Sequence, residues 1–209
     1  MLFVPVFRGN RVMISAIVLA AGQSRRMGQP KQLLEWQGST LLQHVLQNVI
    51  RSIADETILV LGYEAERIGK TLSGLPVRIV VNPDYPSGMA SSLQRGLLAM
   101  EPISEAFMFV LADQPGVGPD IINAVIRTFR QTGLKRRIVR PVYRGMPGHP
   151  ILMSADYRQD LLQLKGDVGA RQILSDHPED ITEIEVDRDA VLVDMDTPED
   201  YRKSHPSQG

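Results

Sequence analysis

One short segment combines glycines with three cations. Gly22 and Gly28 flank five residues that include Arg25 and Arg26, Lys31 follows, and no acidic residue lies among them. Glycines let backbone N–H groups approach a phosphate closely, and cations neutralise its charge. The segment therefore predicts a polyphosphate-binding loop, with an ordinary glycine-rich turn as the alternative. It is neither a Walker loop nor a dinucleotide fingerprint, because both require different glycine spacings.

Two aspartates are placed where a metal could bridge protein and phosphate. Asp113 directly follows an apolar run, and Asp196 stands just before Thr197-Pro198, which is typical of a helix start. Mg²⁺ takes few protein carboxylates and completes its ligand set with substrate phosphates. Asp113 and Asp196 are therefore predicted metal ligands, with Mn²⁺ as an alternative ion and Asp194 as an alternative carboxylate. The competing interpretation is that both aspartates only form turns or helix caps.

Two later segments suit substrate contacts. Asn82 and the stretch 88–92, which holds Gly88, Ser91 and Ser92, again lie between a strand and a helix, where free N–H groups suit an anion or a base edge. Taken alone, this segment is better explained as a tight loop with a helix cap. His149 and Arg171 lie in glycine-rich stretches off the main pattern. They suit a second substrate pocket, although a structural histidine is as good an explanation for His149.

The elements that must position these residues alternate between strand and helix. Apolar runs at 14–20, 57–61, 77–81, 106–112 and from 138 predict strands, and helical spacing appears at 41–53, 64–72, 89–100 and 119–132. Ser39 or Thr40 is expected to cap the first helix and Ser87 the third. After Arg140 we predict a hairpin-like segment at 145–150, helices near 155–164 and 168–175, strands near 182–186 and 190–193, and a last helix from Pro198. This order predicts an α/β fold with a mostly parallel, Rossmann-like sheet and helices on both faces.

Composition narrows the class of protein. The chain has 209 residues, of which 43% are hydrophobic and 22% charged, and its net charge is −1. These values favour one globular domain and argue against a nucleic-acid binder. The absence of cysteine excludes disulfides and thiolate chemistry and fits the cytoplasm, and no apolar run is long enough to span a membrane. Residues 1–13 are expected to be an N-terminal extension. Residues 14–203 are expected to be one domain, with a nucleotide-binding part (14–139) and an acceptor-binding and metal-binding part (140–203).

Taken together, these motifs resemble the nucleotidyltransferases of molybdenum-cofactor synthesis, whose wider relatives have the nucleotide-diphospho-sugar transferase-like fold. The first loop resembles the superfamily, and the combination of motifs resembles the cytidylyl branch over about residues 14–201. The motifs that carry the resemblance are Leu19-Ala20-Ala21-Gly22, Gly88-Met89 with Ser91-Ser92-Leu93, Asp113-Gln114-Pro115, Gly148-His149-Pro150, Gly166-Asp167 with Gly169-Ala170-Arg171, and Asp196-Thr197-Pro198-Glu199-Asp200.

The resemblance implies transfer of CMP from CTP to the phosphate of molybdopterin-type molybdenum cofactor, with release of pyrophosphate. It implies Arg26, Lys31 and Asp113 as catalytic residues and Asp113 and Asp196 as Mg²⁺ ligands. It implies small-molecule substrates and allows a transient contact with a molybdoenzyme or its maturation factor. Guanylyl-transferring relatives carry glycine at the position of Ala21, so the resemblance favours CTP. The expected substrate contacts are Leu19, Ala20, Ala21, Gly22, Ser24, Arg25, Asn82, Gly88, Ser91, Ser92, His149 and Arg171.

Two other classes stay open at this stage. The chain could be a nucleotidyltransferase with another phosphate acceptor, such as a sugar phosphate. It could also be a non-catalytic carrier of the cofactor, although a carrier would not need the phosphate-binding cations and both carboxylates. Pyrophosphate release with each acceptor separates these classes.

Overall fold

The structure is a computed structural model that describes residues 12–132 and 137–204. In chain order its first elements are β1 (Ile14–Ala20), β2 (Glu35–Trp36), β3 (Ser39–Thr40), α1 (Leu41–Ile50), β4 (Glu56–Leu61), α2 (Ala65–Lys70), β5 (Arg78–Val81), α3 (Met89–Leu98), β6 (Ala106–Leu111) and α4 (Pro119–Thr132). They are followed by β7 (Ile138–Tyr143), β8 (Met146–Pro147), β9 (Ile151–Ser154), α5 (Arg158–Leu162), α6 (Arg171–Asp176), β10 (Ile181–Glu185) and α7 (Pro198–Ser204).

A mixed, mostly parallel sheet organises the described residues, as the sequence predicted. The strand order is β10-β7-β9-β6-β1-β4-β5, with β8 paired to β7. Strand β1 pairs in parallel with both β4 and β6, and Leu19 lies opposite Leu111 of β6. Strand β9 is antiparallel to both of its neighbours. Because β1 and β6 are adjacent, the loop after β1 and Asp113 after β6 emerge side by side at the carboxyl edge of the sheet.

Helices cover both faces of the sheet because the strands are apolar on both sides. On one face, Val18 of β1 packs in a cluster with Leu46 of α1 and Ile122 of α4. On the other face, Ile17 packs in a cluster with Leu97 of α3 and Leu161 of α5. Side chains alternate across a strand, so a strand buried on both faces must read as a continuous apolar run. The run Ile14–Ala20 has this composition.

Helix α1 shows how local sequence fixes an element's start. Thr40 accepts a hydrogen bond from the Gln43 N–H at 3.2 Å, and the Gln43 side chain accepts one from the Thr40 N–H at 2.9 Å. This reciprocal capping box satisfies two N–H groups that a helix start otherwise leaves without partners. Of the two caps that the sequence predicted, Ser39 and Thr40, the structure uses Thr40.

Other local predictions need correction. The strand expected at 190–193 is wrong, because Asp189–Val191 forms a 3₁₀ turn closed by a bond from the Leu192 N–H to the Asp189 carbonyl. Ser87 does not cap α3. Gly88 occupies the cap position, and the Ser87 hydroxyl bonds to the Asp84 carbonyl instead.

The C-terminal elements also differ in their bounds and number. The helix expected near 155–164 is a 3₁₀ turn followed by α5, and the helix expected near 168–175 begins only at Arg171. The hairpin predicted at 145–150 is present as β7 and β8, whereas β9 and the small β2–β3 pair were not predicted.

The expected domain parts are continuous in the sheet. Strand β7 contains the boundary between 139 and 140, so residues on both sides of it belong to one sheet. The division of labour between the two parts stays a prediction. Of the expected extension 1–13, residues 1–11 lie outside the described residues. No helix in the described ranges is both long enough and apolar enough to cross a membrane.

Candidate active site

A buried glutamine, Gln32, forms hydrogen bonds with the backbone of the loop after β1. The Gln32 side-chain amide donates to the carbonyls of Ala20 at 2.9 Å and Gly22 at 3.1 Å. The Ser24 hydroxyl accepts a hydrogen bond from the Lys31 N–H at 3.1 Å, and Ser24 adopts a left-handed backbone conformation, φ 52°. These bonds satisfy backbone groups inside the loop and stabilise its shape.

Lys31 is the centre of a charge cluster at the carboxyl edge of the sheet. Its ammonium contacts the Asp113 carboxylate and lies 2.9 Å from Oδ1 of Asp196. Arg26 reaches the other oxygen of Asp196 at 2.7 Å. The Met195 N–H donates to the Asp113 carbonyl at 2.9 Å, which ties the segment before α7 to the end of β6. Residues far apart in sequence therefore meet within one hydrogen-bonded cluster.

Contacts within this cluster shift the pKa values of its charged side chains. Burial alone would lower the pKa of Lys31, but the charge and hydrogen bond of Asp113, joined by those of Asp196, raise it. Burial would raise the pKa of Asp196, but the hydrogen bonds and charges of Lys31 and Arg26 lower it. Burial and the negative charge of Asp113 raise the pKa of Asp194, whose carboxylate accepts a hydrogen bond from Gln114 at 2.8 Å. At neutral pH, Lys31 is therefore charged and Asp196 is ionised.

The opposite wall of the site is formed where α3 meets the loop around residue 166. The N–H groups of Met89 and Ala90 donate to Asp167 Oδ1 at 3.2 Å and to the Gly166 carbonyl at 3.1 Å. A Cβ atom on Gly88 would lie 2.4 Å from the backbone of Gly166. Only glycine permits this approach, and its φ of 114° is also one that other residues rarely adopt.

Between these walls lies a cleft with two adjoining parts. The outer part has a volume of about 550 Å³ and the inner part about 400 Å³. Both are of a size that suits a small-molecule substrate. Both parts are bordered by the same seven residues: Gly22, Arg26, Lys31, Tyr85, Gly88, Asp167 and Asp196.

Most of the residues predicted from the sequence border this cleft. Those that do so are Leu19, Ala20, Ala21, Gly22, Ser24, Arg25, Arg26, Lys31, Gly88, Ser92, Asp113 and Asp196. Asn82 is buried behind the wall, where its amide donates to the hydroxyls of Ser91 at 2.9 Å and Ser92 at 3.0 Å. Asn82 and Ser91 therefore shape the wall rather than border the cleft.

His149 and Arg171 also lie outside the cleft lining. The His149 N–H donates to the Val191 carbonyl at 3.1 Å, and burial lowers the pKa of its imidazole against the opposing charge of Asp113. His149 is therefore neutral at pH 7. Arg171 is exposed at the start of α6.

Three side chains that shape or border the site were missed by sequence reasoning. Gln32 and Gln114 hold the two loops that meet at Lys31, and Tyr85 borders both parts of the cleft. Gln114 stood within a recognised motif without an assigned role. Single glutamines and tyrosines carry no spacing signal, so only their long-range contacts reveal them.

The donor set fits a divalent cation. Asp113 and Asp196 already converge on one cation, the Lys31 ammonium, and carboxylate oxygens are the ligands that Mg²⁺ and Mn²⁺ prefer. Two protein carboxylates leave the remaining coordination positions for phosphate oxygens and water. The glycine loop, the cations and the paired carboxylates can together bind a nucleoside triphosphate and neutralise a leaving pyrophosphate.

The fold is that of the nucleotide-diphospho-sugar transferases, and the class of protein is a nucleotidyltransferase. A family model described as the MobA-like NTP transferase domain matches residues 16–181. The chain therefore belongs to the MobA-like NTP transferase domain family.

Two relatives align with this chain over most of their length, but their names describe different activities. The molybdenum cofactor cytidylyltransferase of Escherichia coli is 30% identical over 191 residues, which cover 90% of this chain and 93% of that protein. The nicotine blue oxidoreductase of Paenarthrobacter nicotinovorans is 30% identical over 195 residues, which cover 89% and 93%. Sequence similarity at this level therefore shows the family, and both the reaction and the substrate must be inferred from the chemistry of the site.

Solved structures agree with the fold. The homologue of Rv0371c from Mycobacterium sp. strain JC1 superposes with a TM-score of 0.81 at 31% identity, covering 93% of this chain and 96% of that chain. Rv0371c of Mycobacterium tuberculosis in complex with manganese gives a TM-score of 0.77 at 30% identity, covering 92% and 97%.

Proposed function

We propose that this protein transfers CMP from CTP to the phosphate of a molybdopterin-type cofactor. One oxygen of the acceptor phosphate attacks the α-phosphorus of CTP in line. The bond from that phosphorus to the bridging oxygen of the β-phosphate breaks, and pyrophosphate leaves with the bonding electrons. The products are a cytosine dinucleotide form of the cofactor and pyrophosphate. The acceptor oxygen is already anionic, so the reaction needs positioning and charge neutralisation more than a general base.

The observation that carries this proposal is the Lys31 ammonium between Asp113 and Asp196, beside the glycine loop. In the proposed reaction, Lys31 and Arg26 neutralise charge on the leaving pyrophosphate. The backbone from Leu19 to Gly22, with Ser24 and Arg25, borders the nucleotide phosphates. A divalent metal held by Asp113 and Asp196 would supply further charge neutralisation of the phosphates. The manganese complex of the Mycobacterium tuberculosis relative supports a divalent metal in this family.

Ala21 supports CTP over GTP in this proposal. Its side chain is buried and borders the inner part of the cleft. Guanylyl-transferring members of the family that the sequence resembles carry glycine at this position. A methyl group here narrows the space available to the second ring of a purine.

The remaining predicted contacts have supporting roles in this proposal. Gly88 and Ser92 border the substrate, and Asn82 and Ser91 hold that wall in place. His149 and Arg171 stay proposals for the acceptor side, and so does the acceptor-binding role of residues 140–203. We expect only small-molecule substrates in the cleft, with a transient contact to a molybdoenzyme or its maturation factor during delivery.

The test is a panel of CTP, GTP, ATP and UTP with Mg²⁺ or Mn²⁺, in which molybdopterin-type cofactor and a sugar phosphate serve as alternative acceptors. Pyrophosphate release and the dinucleotide product are both measured. The proposal expects both products with CTP and the pterin acceptor. Product with a sugar phosphate alone indicates another nucleotidyltransferase, and cofactor binding without pyrophosphate indicates a carrier. Failure of every nucleotide to react would refute nucleotidyl transfer.

A further inference from the structure

Tyr85 occupies a position in the cleft that the proposed reaction leaves without a role. It opens the 3₁₀ turn Tyr85–Ser87 between β5 and α3, and it borders both the outer and the inner part of the cleft. Its side chain is half-buried and also packs against the apolar cluster that contains Ala21. The Tyr85 side chain therefore packs against the apolar cluster, and the residue also borders the cleft.

Close packing fixes the position of this ring. A Cβ atom on Gly62 would lie 2.8 Å from both Cβ and Cγ of Tyr85, and equally close to the carbonyl oxygen of Ala21. The same carbonyl accepts a hydrogen bond from the Tyr63 N–H at 3.1 Å. Gly62 thus lets the start of the Tyr85 side chain lie directly beside the loop after β1.

A second aromatic ring and a braced loop restrict its orientation. The ring of Tyr63 meets that of Tyr85 nearly edge to face, with centroids 6.4 Å apart and planes at 65°. The Asp84 N–H, next to Tyr85 in sequence, donates to the Asn82 side chain at 3.0 Å. An aromatic side chain held in this way loses little conformational entropy when a ligand packs against it.

The charges around the cleft indicate what such a ring would bind. Arg26 and Lys31 border the same cleft and suit anionic phosphates, whereas an aromatic ring offers an apolar face. Planar nitrogen heterocycles stack on aromatic rings whatever their hydrogen-bonding pattern. A ligand with both a phosphate and a heterocycle would use both features at once.

We propose that Tyr85 is a binding residue that stacks on a planar nitrogen heterocycle beside the phosphate-binding loop. This inference rests on the proposed function, whose two substrates each carry such a ring: the base of the nucleotide and the pterin of the acceptor. Neither the family assignment nor the sequence motifs give Tyr85 this role.

The experiment measures binding rather than turnover. The intact protein is titrated by calorimetry with three probes: CTP, inorganic tripolyphosphate, which lacks a base, and 6-hydroxymethylpterin, which lacks phosphate. Tyr85→Ala is expected to weaken binding of one heterocyclic probe by about 5- to 150-fold, the range for one aromatic stacking contact. Binding of tripolyphosphate should change less than twofold. Loss with CTP identifies the base as the stacked ring, and loss with the pterin identifies the acceptor.

Matched variants separate stacking from loop damage. Tyr85→Phe keeps the ring and should bind like the parent, and Tyr85→Leu keeps apolar bulk without the ring and should behave like Tyr85→Ala. Tyr63→Leu removes the neighbouring ring, which is not part of the cleft lining, and should have a much smaller effect. If Tyr85→Ala does not fold, Tyr85→Leu supplies the comparison.

Two results would overturn the inference. One is unchanged affinity of Tyr85→Ala for both CTP and the pterin, or a parent that binds neither. The other is an equal loss of tripolyphosphate affinity, because it would show that Tyr85 only shapes the loop. A parent that binds CTP but transfers nothing would refute the proposed function, and the titrations would still decide the role of Tyr85.

Discussion

Replacing Lys31 by methionine tests the charge cluster most directly. The change keeps most of the length of the side chain and removes the ammonium that contacts both Asp113 and Asp196. The two carboxylates would then lose the cation that they share, while Arg26 would remain paired with Asp196. Asp194, whose pKa is already raised in part by Asp113, adds a third negative charge nearby. The metal-free variant should therefore be less stable than the parent.

The magnitude follows from how exposed the pairs are. Breaking a buried ion pair costs about 3–5 kcal/mol, whereas a surface pair contributes about 0–1 kcal/mol. The side chains of Lys31, Asp113 and Asp196 are 15%, 18% and 31% exposed, so the cluster lies between these limits. We expect a loss of about 2 kcal/mol in the free energy of unfolding. For a chain of this size, that corresponds to a Tm lower by about 4–8 °C.

The pH dependence of this effect has a definite sign. The raised pKa of Lys31 stabilises the fold below the unfolded-state value of about 10.4, and the contribution is lost as pH rises through the folded-state pKa. The lowered pKa of Asp196 stabilises the fold above about pH 4, and that contribution is lost as pH falls through its folded-state pKa. The contributions of Lys31 and Asp196 to the difference in stability between parent and variant should therefore be nearly constant from about pH 5 to pH 9.

A divalent metal should restore stability without restoring activity. Thermal melts are recorded with EDTA and with Mg²⁺ or Mn²⁺, and pyrophosphate release is measured on the same samples. A metal can replace the ammonium between the carboxylates, so the Tm of the variant should rise more with metal than that of the parent. Turnover should stay about 10²–10³-fold lower, because one preorganised charge contact to the leaving group is gone.

Arg26→Gln is the control for Lys31→Met. Arg26 is 69% exposed and pairs with Asp196 at the surface, so its loss should cost less than about 1 kcal/mol. A Lys31→Met protein that melts like the parent in EDTA would refute the reasoning. Equal stabilisation of parent and variant by metal would refute it as well.

The remaining predictions concern three positions around the cleft. Ala21→Gly should raise the ratio of kcat/KM for GTP to that for CTP by about tenfold, since a methyl-sized change in a pocket has an effect of this order, and an unchanged ratio would show that Ala21 does not face the base. Asp113→Asn should raise the Mg²⁺ concentration needed for half-maximal pyrophosphate release, because an amide lacks the charge that the metal needs. If the variant needs the same Mg²⁺ concentration as the parent, Asp113 only forms a turn and does not bind the metal. Gly88→Ala should lower the free energy of unfolding in urea by about 2–4 kcal/mol, because its Cβ would collide with the Gly166 backbone at a φ of 114°. Gly145→Ala, at a φ of 74° with no atom within 4 Å of the added Cβ, should cost only about 1–2 kcal/mol, and equal losses at the two glycines would contradict the collision.

Long elements could be predicted from the sequence, β1 from its continuous apolar run and α4 from its helical period. Strand β1 and helix α4 have the bounds that their apolar patterns predicted, because both are determined by burial along a continuous segment. Strand β9 could not be predicted in this way. Its four residues, Ile151–Ser154, are all buried, so they show neither alternation nor helical spacing. Only its neighbours β6 and β7 make it a strand.

The part of the site that lies at the carboxyl ends of adjacent parallel strands could be predicted from the sequence. Asp113 and the loop after β1 follow adjacent strands, so their meeting required only the correct strand order. Gln32 and Tyr85 depend on particular contacts instead. The amide of Gln32 bonds to carbonyls 10 and 12 residues away, and Tyr85 lies over Gly62 because that residue lacks a side chain. No spacing rule in the sequence encodes such contacts.

Asp196 reaches the site although the strand predicted before it does not form. The prediction placed Asp196 between a strand near 190–193 and the helix that begins at Pro198. The structure achieves the same position by other means: the Met195 N–H bonds to the Asp113 carbonyl, and Met195 packs with Trp36. The Tyr201 hydroxyl of α7 then donates to the Glu35 carbonyl at 2.6 Å, close in sequence to Lys31. Asp196 is therefore positioned by contacts with the two segments that carry Asp113 and Lys31. Its position depends on those segments and not on strand pairing in the sheet.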